Sequence, residues 1–181
     1  MSRWGSCSRA TLALLALAAP ARAEVLLTQQ EALKLAFPGC EIERGTVFPT
    51  KEELERARKL AGVDLPGAIF HPYVARKDGR VVGTAYFDAH RVRTLPETVM
   101  VVVDLEERVQ RVEVLSFDEP REYLPRGAWY EQFRGKGLDA DLALRRKIPP
   151  VSGATLTARA TTEAVRRVLA LHRILRERER R

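Results

Sequence analysis

The chain is predicted to be an α+β protein. An antiparallel sheet of about four or more strands is packed by a long C-terminal helix and preceded by two short N-terminal helices. Three observations predict this. Two capping boxes open short apolar-periodic runs between Thr28 and Gly62. Four β-rich runs at hairpin spacing occupy Phe70 to Leu115. A single apolar stripe at three- and four-residue steps then runs from Ala164 to Leu175.

The first residues are set apart from the fold. Arg3 and Arg9 form a positive start, and Ala10 to Ala19 is apolar and uncharged. That run is about ten residues long, whereas a bilayer-spanning helix needs roughly 20. Pro20 breaks it and Ala21-Arg22-Ala23 is a small-x-small cleavage site, so residues 1–23 read as a secretory signal peptide and not as an anchor. A mature chain starting at Glu24 keeps 158 of the 181 residues, the size of one domain with a real core.

In Thr28-Gln29-Gln30-Glu31 and in Thr50-Lys51-Glu52-Glu53 a hydroxyl and a carboxylate stand three residues apart. Each can satisfy main-chain N–H groups at a helix start. The first box opens a helix from Gln29 to Phe37, stopped by Pro38-Gly39. Ile42 to Phe48 reads as a strand ended by Pro49, and the second box opens a helix through Leu54, Ala57, Leu60 and Ala61 that ends at Gly62. This stretch, 24–65, is read as a helical lead-in to the main sheet.

Phe70 to Arg76 is the first strand of that sheet; Lys77-Asp78-Gly79 is a tight turn and Arg80 to His90 the second strand. A loop from Arg91 to Pro96 leads to Thr98–Val103, whose mostly β-branched composition marks a buried strand. Val109 to Leu115 alternates and closes a second hairpin. A polar loop follows, then an aromatic segment with Tyr123, Trp129, Tyr130 and Phe133, of which Ala128–Phe133 is a helical turn or two. Tyr123, Trp129 and Tyr130 are each read first as core, with a wall against a ring-shaped ligand as the second reading. Ile148-Pro149-Pro150 is extended and delivers the chain into Val151-Ser152-Gly153-Ala154-Thr155. The long helix comes after Thr157, and 176–181 is a charged tail.

The net charge of +7 sits at the two ends. The leader holds three arginines and no acid, leaving +4; Arg166 to Arg181 holds seven arginines and two glutamates, leaving the body near −1. A nucleic-acid surface needs basic residues on a folded face interleaved with aromatics, which this distribution does not provide. The alternating tail reads as a solvated helix end with local ion pairs, or as a contact for a partner or an anionic membrane surface. Only Cys40 remains beyond the leader, and no C-x-x-C-H is present, so no internal disulfide and no attached haem is expected. His71, His90 and His172 lie far apart and read as surface or satisfied histidines, with no metal role.

Ser152 to Thr157 offers three hydroxyls, a glycine and an alanine directly ahead of a helix. A helix start presents unpaired N–H groups and a partial positive charge, a ready site for phosphate. On these residues alone two readings stay open: a hydroxyl-rich cap with no ligand, or a phosphate site. The basic run Arg145-Arg146-Lys147 just upstream reads either as a phosphate partner or as a solvated patch.

Ser152-Gly153-Ala154-Thr155-Leu156-Thr157 before an amphipathic helix resembles the FMN-binding domain family. Its members include flavin subunits of the sodium-translocating NADH:quinone reductase and of Rnf-type ferredoxin:NAD oxidoreductases, and small exported relatives. The resemblance covers roughly Ala68 to Leu171, within a domain placed at 66–175. It implies FMN held as a phosphoester on Thr155, installed from FAD by a separate flavin transferase with Mg²⁺. Ser152, Gly153 and Ala154 are then the recognition context, Leu156 a further cofactor-binding position, Thr157 the second threonine, and Glu119 a residue near the flavin. Pro149 stands where members usually carry aspartate, and Asp118-Glu119-Pro120-Arg121 replaces the usual Glu-Thr-Pro-Gly loop. The function implied is an exported electron carrier, periplasmic or otherwise extracytoplasmic, that relays electrons between membrane or periplasmic redox partners; an electron-transfer protein is favoured over a reductase with its own small substrate, and the second reading stays open. The alternative is a cofactor-free or non-covalently FMN-binding assembly or binding module of the same fold.

Overall fold

The computed structural model describes residues 24–180. The expected leader at 1–23 lies outside the described residues, as does Arg181. The fold is α+β, with a six-stranded antiparallel sheet. Its strands are β1 (Glu24–Val25), β2 (Glu41–Arg44), β3 (Tyr73–Lys77), β4 (Arg80–Arg91), β5 (Pro96–Val103) and β6 (Val109–Phe117). They lie in the order β1-β6-β5-β4-β3-β2. The two expected hairpins are β3–β4 and β5–β6, and β4 also pairs with β5 from Thr84↔Val103 to Arg91↔Pro96. Both edge strands come from the stretch read as a helical lead-in, which therefore completes the sheet. The strands expected at 42–48 and 70–76 are shorter than their patterns, and beyond them only the bridge Val47↔Phe70 remains.

Helices α1 (Gln29–Ala36) and α2 (Lys51–Ala61) start at the two expected capping boxes, and both boxes are formed. Gly62 ends α2 in the left-handed conformation, φ +67°, where a side chain would be strained. A short helix α3 (Gly127–Tyr130) and a 3₁₀ turn (Glu131–Phe133) hold the aromatic segment. The long helix α4 spans Thr155–Glu179. It begins inside the motif, not after Thr157 where the sequence pattern placed it.

The sheet is covered on both faces. On one, Val99, Val101, Val103, Val109, Val112 and Val114 pack against α4 and α2, with Tyr130 and Phe133 in the same core. On the other, Met100, Val102, Ala85 and Leu115 pack against Ala32, Leu33 and Phe37 at α1. Two-sided burial explains why Thr98–Val103 has no alternation: every residue from Val99 to Val103 is at most 1% exposed. The predicted stripe on α4 is buried throughout.

The C-terminal arginines reach further than local pairing. Arg178 pairs with Glu53, Arg56 with Glu177, and Arg173 and Arg180 both with Glu107. Among the described residues only Arg176–Glu179 is a neighbour pair within the tail. The end of α4 is tied to α2 and to the β5–β6 turn.

Candidate functional site

Ile148-Pro149-Pro150 leads the chain towards α4, with the Trp129 indole N–H donating to the Pro149 carbonyl at 2.9 Å. The chain then turns at Gly153, whose φ is +80° and whose absent Cβ would meet nothing within 4 Å. The residue before α4 is Ala154, and no side chain caps the helix. Ser152 and Thr155 therefore do not serve as a local cap, which was one of the two open readings of the motif. The first intrahelical bond is Ala158 N–H to Ala154 carbonyl, 2.9 Å, so the main-chain donors of Thr155, Leu156 and Thr157 have no helical acceptor.

A cavity of about 160 Å³ lies against this turn, lined by Gly153, Ala154, Thr155, Leu156, Thr157, Arg93 and Tyr123. It has room for a phosphate group and is well below the roughly 300 Å³ of a pocket that encloses a whole organic ligand. A tricyclic ring has to lie outside it, where Leu156 is 47% exposed.

The two threonines of the motif are not equivalent. Thr157 is fully buried and its hydroxyl donates to the Tyr123 carbonyl at 2.6 Å, tying the aromatic loop to α4. Thr155 is half-buried beside the cavity, and its hydroxyl donates only to the Val151 carbonyl at 3.2 Å. Of the two, Thr155 is the one left partly exposed. Ser152 is exposed and does not line the cavity.

Glu119 stands apart from the cavity as well. It is 7% exposed, and one carboxylate oxygen accepts from the main-chain N–H groups of Arg93, Thr94 and Leu95 at 3.2, 2.7 and 2.9 Å. The bonds from Leu95 and Thr94 hold its carboxyl below the usual range. Glu119 is thus the clamp of the β4–β5 loop, and the residue that this loop delivers is Arg93. Its guanidinium lies over the Tyr123 ring, 5.1 Å from the centroid, and among the described residues no acid pairs with it.

The basic run expected beside the motif is placed elsewhere. Lys147 pairs with Asp139 at 2.5 Å and Arg146 with Asp141 at 3.2 Å. The cation at the motif is Arg93, which sequence reading missed because 59 positions separate it from Ser152 and no pattern links the two. Tyr123 lines the cavity, whereas Tyr130 is core and Trp129 packs against that core.

Below the loop lies a buried polar cluster. Glu97 is fully buried and one of its oxygens meets His90 Nε2 at 2.9 Å and the Thr161 hydroxyl at 3.1 Å. His90 Nδ1 meets Asp88 at 2.9 Å, and Arg167 bonds both Asp88 oxygens at 2.7 and 3.0 Å. Burial opposes the charge on His90, but the bonds to Asp88 and Glu97 outweigh it and raise its pKa to about 9. Burial likewise opposes ionisation of Asp88, and the bonds from His90 and Arg167 hold it at about 2. The cluster joins β4 and β5 to α4, one helical turn beyond Thr157.

A sequence model of the family described as FMN-binding domain matches residues 95–170. The match takes in the motif, Glu119 and Tyr123, and begins later than the Ala68 at which the resemblance was placed. No curated protein and no solved structure matches the chain.

Proposed function

Residues 95–170 match the FMN-binding domain family, and from that premise we propose that this flavin-binding protein is an exported electron carrier holding FMN through a phosphoester on Thr155. The observation that carries the reading is the uncapped start of α4. Its free main-chain donors, the Thr155 hydroxyl and the Arg93 guanidinium border one phosphate-sized cavity.

Bound FMN supplies one- or two-electron chemistry. The chain's part is to hold it. Gly153 leaves the approach to the main chain open, the N–H groups of the first turn and Arg93 meet the phosphate charge, and Leu156 offers apolar surface to the ring. Thr157, Tyr123 and Glu119 act indirectly, by fixing the helix start, the aromatic loop and the Arg93 loop. A flavin transferase is the maturation partner, and the leader-like residues 1–23 support work outside the cytoplasm.

The test is the intact mass of the chain co-expressed with a flavin transferase. An increment of one FMN, mapped to the peptide holding Thr155 and lost in Thr155→Ala, is the expected result. A chain with no increment and no bound flavin would sink the proposal. Non-covalent FMN on an otherwise unmodified chain would favour the alternative module, to which Pro149 in place of the usual acid also points.

A further inference from the structure

β3 and β4 part company halfway along. Their register ends at Tyr73↔Ala85, yet β4 continues for six residues, Tyr86 to Arg91. The cause is local. Pro72 has no N–H to give, and its carbonyl accepts from Gly45 at 2.8 Å. Phe70 exchanges both main-chain bonds with Val47, at 2.9 and 3.0 Å. The chain before Tyr73 therefore stays with the segment after β2 and swings away from β4.

In an antiparallel strand alternate residues point both main-chain groups to the same side. Three of the six residues from Tyr86 to Arg91 thus turn an N–H and a C=O away from β5. Among the described residues nothing bonds to these groups. They face two adjoining cavities of about 690 and 840 Å³, which share Leu65, Pro66, Ala89 and Arg167. Phe70, Tyr73, Tyr86 and Phe87 give apolar walls. The open edge is about 17 Å long.

The charge along this groove is unbalanced. Arg167 and Asp88 satisfy each other. Arg44 and Arg91 are exposed and have no ion-pair partner among the described residues, and Arg58 pairs only weakly, with Glu55 at 3.9 Å on its own helix. Against these stands a single uncommitted acid, Asp64. His90, at the far end, is held between Asp88 and Glu97. A row of free main-chain donors and acceptors, apolar walls and surplus arginines together specify one kind of occupant.

We propose that the open edge of β4 is a docking strip for an extended, acidic segment of a partner protein, which joins the sheet as a short extra strand. Main-chain bonds supply affinity, and Arg44, Arg58 and Arg91 select for acidic side chains. The strip ends at Arg91, where the loop carrying Arg93 to the Thr155 cavity begins, so an occupant sits beside that cavity. The proposal does not depend on flavin being bound.

The experiment uses the full chain with two blocked hexapeptides, one alternating valine and glutamate, the other valine and lysine. Calorimetry gives affinity and amide hydrogen exchange gives location. The glutamate peptide is expected to bind saturably and to slow exchange at the cleft-facing amides of Tyr86–Arg91, with the lysine peptide at least tenfold weaker. Arg44→Glu and Arg91→Glu, both exposed changes, should keep the thermal midpoint and reverse the preference. Equal affinity for both peptides, or no binding, overturns the proposal. So does strong protection of the same amides in the free chain, or a dimer in sedimentation whose β4 edges pair with each other.

Discussion

Glu119 shows how a single residue acts on a site it does not touch. Its carboxylate gathers three consecutive main-chain N–H groups, and such charge-assisted bonds are stronger than neutral ones. Glu119→Ala leaves those donors without their acceptor and is expected to cost about 1–3 kcal/mol in urea unfolding. An unchanged unfolding midpoint would remove the clamp from the account. Arg93 tests the other end of the same device. In Thr155→Ala, where no ester forms, Arg93→Met should weaken free FMN roughly tenfold while leaving riboflavin, which lacks the phosphate, almost unaffected. Equal losses for both ligands would place Arg93 at the ring and not at the phosphate.

At the scale of the element, helix ends carry the contrast between stability and function. α1 and α2 start at completed capping boxes, whereas α4, by far the longest helix described, starts at an alanine with no cap. Thr50→Ala should therefore destabilise by about 1 kcal/mol, as other cap removals do. The opposite kind of change is expected at α4. Ala154→Ser or Ala154→Asp introduces a cap, leaves stability equal or higher, and lowers flavin loading by competing for the donors that a phosphate would take. Thermal melts together with the fraction carrying FMN check this; full loading of a more stable variant would contradict it. Both short helices and both hairpins were legible beforehand because capping boxes, Asp-Gly and β-branched runs are local signals. Strands β1 and β2 were not legible as sheet edges, because two and four residues carry too little pattern to reveal partners that lie 93 and 35 positions away.

For the molecule as a whole, buried ionisable groups set the pH range of stability. His90 rises in the fold from 6.5 to about 9, so its contribution is full below pH 6.5 and is lost as pH climbs through 9. His172, buried against the Tyr86 hydroxyl at 2.9 Å, is lowered by burial to about 4. Its contribution is full above pH 6.5 and is lost as pH falls through 4. Stability should therefore peak near pH 6.5 and fall on both sides, the alkaline arm by up to about 3 kcal/mol between pH 6.5 and 9. Urea unfolding at a series of pH values reads this directly. Glu97→Gln removes one of the two carboxylates at His90 and should flatten the alkaline arm; an arm of unchanged slope would assign it to other groups.

The amino-acid sequence by itself determined the fold class, the capped helices, the two hairpins, the long last helix and the motif. Each rests on signals a few residues long: hydroxyl–carboxylate pairs, alternation, an apolar stripe, and a hydroxyl-rich turn before a helix. It also pointed to Thr155, through resemblance. What only the tertiary structure decided is which groups share that turn. Thr157 and Thr155 look alike in a string, but Thr157 is fully buried with its hydroxyl tied to the distant Tyr123 carbonyl, whereas Thr155 is half-buried and bonds only to the nearby Val151 carbonyl. Arg93 enters through a loop held from behind by Glu119, and the basic run beside the motif turns to Asp139 and Asp141 instead. Charge and hydrogen bonding act over a few ångströms of space, and the pairing of strands brings together residues whose separation in sequence carries no record of that distance.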